Sequence, residues 1–335
     1  MHRNRPCFLL GVHHSLIHTG ISKEESDSAM QPPTEQRDCI QLSVIIVTYN
    51  SSDVIAECLA SLSHALHSFP WASEVLLIDN ASSDQTDRLL QANAEKLCRQ
   101  FARHRIILND KNLGYTAGIN QGLQCATGRY VLLLNPDIVL QPDSIRRLLQ
   151  RLESEPRVGV VAPQLRFFAH LIQPSCRSFP RKRDVVYDCI GLSFLFPKSA
   201  EFNRWRMGDF DHQESRDVDQ PQGAFLVAKK AVLDAVGALD ERFPMFFSDV
   251  DWCRRVKQKG WRILFCADAY ALHKQGASVF QKRPEMIVSS HRSFVQYFQK
   301  YDVSHWQKYC SALLHLWLLV ITLPRVMFSF LERRQ

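Results

Sequence analysis

The first sustained pattern in the chain is Leu42-Ser-Val-Ile-Ile-Val-Thr48, a short β-branched run with almost no polar break. A half-exposed strand alternates apolar with polar residues, so a run of this kind predicts a strand covered on both faces. The period then changes. Val54, Ile55, Cys58, Leu59 and Leu62 fall three and four apart behind Asp53, which predicts an amphipathic helix with an acidic start. The cycle repeats with a strand over 74–78, a helix over 84–100, a strand over 105–108, a helix over 116–125 and a strand over 130–134. Strands alternating with helices of this length predict an α/β fold, a Rossmann-like and mostly parallel sheet with helices on both faces, built from right-handed crossover units.

Outside this region the pattern differs. Residues 1–38 mix basic, apolar and polar positions without a period, and their apolar run is too short and broken for a secretory signal. They are expected to form a disordered tail, with Met30 an alternative start. Between Leu165 and Gln220 the periodicity weakens, and Arg177, Arg181, Lys182 and Arg183 cluster around Pro180, which predicts an insert or loop. A basic, aromatic stretch over 281–309 leads into the apolar run 311–323, followed by Pro324 and Arg325. A membrane span needs about 20 apolar residues. This run is interrupted by His315, so it predicts a helix lying in a membrane interface or, as the rival reading, one docked on the catalytic domain or a partner chain. The division expected is a tail over 1–38, one α/β domain over 39–280 and a helical extension over 281–335.

Composition narrows the chemistry only a little. With 335 residues, 46% of them hydrophobic and 22% charged, the chain can bury a large core. Its net charge of +7 suits an anionic partner, and nucleotide, pyrophosphate-lipid, nucleic acid and acidic bilayer all qualify. Ten cysteines include no CxxC pair, which argues for a reducing compartment and against a structural zinc site.

In a parallel α/β sheet, ligands sit beyond the carboxyl ends of the strands. There the sequence places Thr48-Tyr49-Asn50, then Asp79-Asn80-Ala81-Ser82-Ser83-Asp84, then Asn135-Pro136-Asp137. No GxGxxG or GxxxxGK[ST] loop follows any strand, which argues against a dinucleotide dehydrogenase and a P-loop NTPase. Carboxylates at successive strand ends suit a hard cation, Mg²⁺ or Mn²⁺, bridging a diphosphate. Asp79 could equally accept a hydrogen bond from a base or ribose, and Asp84 reads as the cap of the next helix.

The ordered motifs VIIVTYN, LLIDNASSD, NDKNLGYTAGINQG, LLLNPD, PQGAFLVAKKAVLDAVGALDERFPMFFSDVDWCRR and GWRILFCADAYALHKQGAS resemble those of family 2 inverting glycosyltransferases, within the rhamnosyltransferase-like branch of bacterial surface-polysaccharide assembly. The resemblance runs from Leu42 to Ser278 and implies a GT-A fold. It implies that Thr48, Tyr49, Asn50 and Asp79 contact the nucleotide, and that Asn112, Gly114, Asn120, Asn135 and Gly223 line the sugar-nucleotide pocket. Asp137, in the position of the acidic metal motif, and His273 are implied as metal ligands, with Asn135 replacing the usual first acid. Asp249 aligns with the catalytic base, and Ser248 stands where an acid is usual. Asp251 is expected to cap or pair with Arg254 or Arg255, and Trp252 and Trp261 to pack.

The resemblance further implies a dTDP- or UDP-sugar donor, rhamnose first, and a saccharide or polyprenyl-diphosphate-linked acceptor. No nucleic-acid partner is implied, and the place of action is the cytoplasmic face of the membrane. The basic cluster around Pro180 is then either a solvated face or a site for phosphate or lipid headgroups. Two rival functions remain open. A sugar-nucleotide nucleotidyltransferase would carry a Gly-rich loop where Thr48-Tyr49-Asn50-Ser51 stands, and a silent sugar-binding scaffold is conceivable from Asn135 and Ser248.

Overall fold

The computed structural model describes residues 39–67, 70–93, 99–168, 170–274 and 283–332. The tail expected over 1–38 lies outside them, as do residues 94–98 of the second helix. The strands are β1 (Leu42–Thr48), β2 (Ser73–Asp79), β3 (Arg103–Leu108), β4 (Tyr130–Leu134), β5 (Ile138–Leu140), β6 (Val158–Arg166), β7 (Cys176–Arg177), β8 (Arg216–Asp217), β9 (Gln220–Pro221), β10 (Phe225–Lys229) and β11 (Arg262–His273). The helices are α1 (Ile55–His67), α2 (Thr86–Ala92), α3 (Tyr115–Cys125), α4 (Ser144–Ser154), α5 (Lys182–Cys189), α6 (Leu192–Leu195), α7 (Lys230–Val236), α8 (Ser248–Gln258), α9 (Arg283–Tyr301) and α10 (His305–Glu332).

The main sheet runs β3-β2-β1-β4-β10-β6-β11-β5, with β8 paired to β11. Neighbours from β3 to β4 are parallel, β10 lies antiparallel between β4 and β6, and β6 is parallel to β11. The expected mostly parallel sheet is therefore present, with one reversed strand at its centre. β1 explains its own unbroken apolar run. Leu42, Val44 and Ile46 enter a core with Ile55, Leu59 and Leu62 of α1 and Leu148 and Leu152 of α4. Ile45 and Val47 enter the opposite core with Ile119 of α3 and Trp252, Cys253 and Val256 of α8. Trp252 thus packs, as the sequence predicts.

At the amino ends of these strands sits a buried carboxylate. Glu74 is fully buried, and its Oε1 accepts from the Ser43 hydroxyl at 2.6 Å and from Thr127 N–H and Oγ1 at 2.7 and 2.9 Å. Ser43 Oγ in turn accepts from Gly128 N–H at 2.8 Å. Arg103 lies 3.7 Å from the other oxygen, Oε2.

Two expectations need correction. The helix expected over 84–100 begins at Thr86 and is seven residues long to Ala92, because Asp84 spends its side chain on the turn before it, accepting from Ser52 N–H at 3.0 Å and Thr86 N–H at 2.9 Å. The carboxyl-terminal helix is not wholly free for an interface: Leu314 and Leu318 are buried with Val185, Phe243, Phe247, Val250 and Phe294 in a third core. Its other face carries exposed Trp306, Tyr309, Leu313, Leu316, Leu319 and Val320. Among the described residues no helix is long and apolar enough to cross a membrane.

Glu74→Ala leaves the Ser43 hydroxyl and the Thr127 N–H without their acceptor. It is expected to lower unfolding free energy by about 2–4 kcal/mol, read as a lower urea midpoint at unchanged slope. An unchanged midpoint would refute the network's structural weight.

Candidate active site

Parallel pairing of β1 with β2 and β4 brings three strand ends into one crevice. Its first wall is a pair of stitched loops. Thr48 Oγ1 donates to Asp79 Oδ1 at 2.8 Å, and Asp79 also accepts from the Ser82 hydroxyl at 2.6 Å and Ser82 N–H at 2.9 Å. Asn50, at φ +50°, donates its N–H to Ser82 Oγ at 2.9 Å and accepts from Ser83 N–H at 2.8 Å. Tyr49 stands between them, half-buried. The carboxylate of Asp79 is 2% exposed, so its immediate work is to hold the shape of this wall.

The α3 start forms the next wall. Gly114, at φ +88°, accepts from Asn80 Nδ2 at 3.0 Å and donates its N–H to Asn112 Oδ1 at 2.8 Å. A Cβ there would come 3.0 Å from the Pro244 carbonyl, so both conformation and space demand glycine. Asn120 is corrected by the structure. Both hydrogens of its amide are taken, by Leu239 O at 3.0 Å and Glu241 Oε1 at 2.9 Å, and its oxygen accepts from Leu239 N–H at 3.0 Å. It pins the 239–241 loop instead of lining a pocket.

The crevice floor is formed where β4 turns into β5. Antiparallel pairing of β5 with β11 sets His273 opposite Ile138 and so beside Asp137. His273 Nε2 lies 3.4 Å from Asp137 Oδ2, and its Nδ1 meets Gln173 Oε1 at 2.9 Å. Gln173 is itself oriented by donating from Nε2 to Gln222 Oε1 at 2.9 Å. An amide oxygen against Nδ1 suits the tautomer with the proton on that nitrogen, in which Nε2 is free to act as a ligand. Asn135 Oδ1 and Asp137 Oδ1 are both buried without a hydrogen-bond partner. Two buried oxygens beside an imidazole therefore lack a partner here, an arrangement a divalent cation would satisfy. Among the described residues no group of three or more His, Cys, Asp or Glu gathers. The fit is that of a cation completed by oxygens of a bound ligand.

Opposite stands Asp249, in the first turn of α8. Its Oδ2 accepts from Gln220 Nε2 at 2.8 Å and Gly223 N–H at 3.0 Å, and its Oδ1 from Val250 N–H at 2.9 Å. Burial raises its pKa above the ordinary carboxylate value, although these donors oppose the shift. A carboxylate offers about four acceptor positions, so one stays open. A Cβ on Gly223 would lie 3.2 Å from Asp249 Cβ, which keeps that backbone side-chain-free. Phe247, just before the helix, is held at φ +71°, a left-handed conformation uncommon for a bulky residue. Phe294 and Tyr297 of α9 clamp its ring at 4.6 and 5.4 Å. Ser248 is buried, and Asp251 pairs with Arg255 at 2.9 Å while accepting from Tyr301 OH at 2.7 Å.

Sequence reasoning missed Tyr115, Gln173, Gln220 and Gln222. Tyr115 donates to Gly223 O at 3.1 Å, and burial, with Asp249 and Asp137 nearby, drives its pKa up. Its place in the quoted NDKNLGYTAGINQG segment was a usable signal. Gln222 likewise stood in the quoted PQGAF segment, whereas Gln173 and Gln220 gave no signal, because their work depends on β7 and β9 pairing across the insert.

A mostly parallel sheet with a reversed strand beside β4 and a polar crevice at its carboxyl edge is the arrangement of a GT-A-like fold. Residues 43–198 match the family model for glycosyl transferase family 2. An N-acetylglucosaminyl-diphospho-decaprenol L-rhamnosyltransferase of Mycobacterium tuberculosis is 26% identical over 264 residues, 75% of this chain and 82% of that protein. A low-salt glycan biosynthesis hexosyltransferase of Haloferax volcanii is 24% identical over 241 residues, 70% of this chain and 67% of that one. In fold, the chain is similar to a mannosyltransferase from Pyrobaculum calidifontis in complex with GDP-Man and Mn²⁺, with TM-score 0.54, 19% identity, and coverage of 85% and 73% of the two chains.

Asn120→Ala is expected to cost about 1–3 kcal/mol of stability by leaving the 239–241 backbone unpaired, with nucleotide-sugar affinity of the folded protein unchanged. Calorimetric titration beside thermal melts checks this, and weakened donor binding at unchanged stability would restore Asn120 to the pocket.

Proposed function

We propose that this glycosyltransferase works by a single inverting displacement, taking a sugar from a dTDP- or UDP-sugar, rhamnose first, to a saccharide or polyprenyl-diphosphate-linked acceptor. The observation that carries this reading is the pairing, across one crevice, of the unpartnered oxygens of Asn135 and Asp137, with His273 beside them, and the raised carboxylate of Asp249. In it, Thr48, Tyr49, Asn50 and Asp79 shape the nucleotide wall, Asn112 and Gly114 border the sugar, and Gly223 lets donor and acceptor pass close to the base. Asp137 and His273 would hold Mg²⁺ or Mn²⁺, with Asn135 alongside. That cation would neutralise charge gathering on the departing diphosphate.

Asp249 takes the proton from the acceptor hydroxyl as that oxygen attacks the anomeric carbon. A raised pKa makes it a stronger base than an exposed carboxylate. The donors from Gln220 and Gly223 fix its direction, so little reorganisation is left for the reaction itself. Rhamnose is favoured by the relative from Mycobacterium tuberculosis, whose name specifies both that sugar and a diphospho-decaprenol acceptor.

Action at the cytoplasmic membrane face is supported by α10, whose residues from Tyr309 to Val320 carry no Asp, Glu, Lys or Arg, and whose outer stripe leaves Trp306 71% exposed and Val320 66% exposed. Co-flotation with phosphatidylglycerol vesicles is expected for the wild type and lost in Leu316→Ser/Val320→Ser. Equal flotation of both would remove α10 from membrane contact.

Wild-type protein incubated with dTDP-rhamnose, UDP-glucose, UDP-galactose and UDP-N-acetylglucosamine is expected to turn over one donor slowly, with loss on EDTA and a drop of about 100-fold or more in Asp137→Ala, the size expected when a metal-held charge interaction is removed. Because Asp249 must be ionised to act and its folded pKa is raised, kcat/KM is expected to fall as pH drops through a value above the free-carboxylate value of about 3.9. No turnover of any donor would favour the silent scaffold, and an acid limb below that value would remove Asp249 as the base.

A further inference from the structure

A cavity of about 530 Å³ borders the candidate base, lined by Gln173, Gln220 and Gln222 on one side and by the 167–208 insert on the other. The glutamine side is the same set that holds Asp249 and His273. On the insert side lie Arg177 and Arg206. Three cations of the Pro180 cluster are neutralised: Arg181 by Asp184 at 2.7 Å, Lys182 by Asp302 at 2.6 Å and Arg183 by Glu201 at 3.3 Å. Arg177 is not. Its Nη1 donates only to the carbonyls of Pro174 and Cys176, at 2.9 and 2.8 Å, and among the described residues no carboxylate lies within ion-pair distance. Burial, with Arg206 nearby, lowers its pKa to about 10, so it stays a cation at neutral pH with its charge uncompensated.

Two more groups in the same cavity lack partners. Ser175 Oγ is buried with no hydrogen bond, and so is Asn203 Oδ1. Buried polar atoms are seldom left unpaired. A guanidinium without a carboxylate and a hydroxyl beside it suit phosphate oxygens, and an amide oxygen without a donor suits a sugar hydroxyl. The rim adds an apolar ledge, since Pro197 lines the cavity and the residues before it, Phe194, Leu195 and Phe196, are 86, 66 and 50% exposed. A free sugar phosphate has no use for such a ledge.

We infer that this cavity is the acceptor subsite and takes the phosphate of an isoprenoid-phosphate-linked saccharide. Arg177 and Ser175 bind phosphate oxygens, Asn203 accepts from a sugar hydroxyl, and the isoprenoid leaves over Phe194, Leu195 and Phe196. The assignment rests on the glycosyl-transfer reading above, and it gives Gln220 and Gln222 a second duty, joining the acceptor wall to the base.

The test is calorimetric titration of the full chain with Mn²⁺ and saturating UDP or dTDP, so that the donor site is filled before farnesyl diphosphate or inorganic pyrophosphate is added. Failure of both nucleotides to bind would overturn the donor reading by itself, at the first step. Farnesyl diphosphate is expected to bind the nucleotide-saturated protein more tightly than pyrophosphate. Arg177→Gln is expected to weaken it by about tenfold or more, the scale of a lost charge-assisted hydrogen bond. Ser175→Ala is expected to weaken the probe about threefold. Phe194→Ser is expected to erase the preference over pyrophosphate. Unaltered affinity in both Arg177→Gln and Ser175→Ala, displacement of the probe by the nucleotide, or equal affinity for the two probes would overturn the assignment.

Discussion

Everything at this site depends on how one carboxylate is held. Asp249 sits in the first turn of α8, and three donors, from Gln220, Gly223 and Val250, fix both of its oxygens. None of those donors would be in place without the rest of the chain. Gln220 and Gly223 flank β9, which is aligned by β7 from the insert. The turn into α8 passes through Phe247 in a left-handed conformation, which α9 holds by packing aromatic rings against it. Such a conformation costs roughly 1–3 kcal/mol and persists only where its surroundings over-determine it. The carboxyl-terminal helices are therefore part of the active-site scaffold, whatever else their outer face meets.

The sheet separates two kinds of buried charge. At the amino ends of its strands, Glu74 takes donors from Ser43 and Thr127 on one oxygen, with Arg103 3.7 Å from the other. At the carboxyl ends, Asn135 Oδ1 and Asp137 Oδ1 are buried without a partner, and His273 lies beside Asp137. The same parallel pairing of β1, β2 and β4 creates both ends, and ligands of such sheets sit at the carboxyl one.

Much of this was legible in the order of residues. The β-branched run of β1 announced burial on both faces, and its alternating contacts with two cores are why that signal was strong. The strand ends that follow supplied Asp79 and Asp137 because in a parallel α/β sheet short sequence segments map directly onto one crevice, whereas Asp249 came from the family resemblance. What could not be read were contacts made across long separations. Gln173 meets His273 a hundred residues away, and Asn120 is consumed by a loop at Leu239, so the motif position of Asn120 misled. The division of the Pro180 basic cluster was equally hidden. Whether an arginine there is paired depends on Asp184, Glu201 and Asp302 arriving from three different elements.

In the proposed reaction, a single base on one side of the anomeric carbon and a leaving diphosphate on the other allow one displacement, with inversion. The most direct measurement is the anomeric configuration of the methyl glycoside formed from the accepted nucleotide sugar in methanol-containing buffer, read by proton NMR, because a glycoside cannot mutarotate. The account requires the configuration opposite to that of the donor. A product that keeps the donor's configuration would demand a second nucleophile in the crevice and contradict the role given to Asp249.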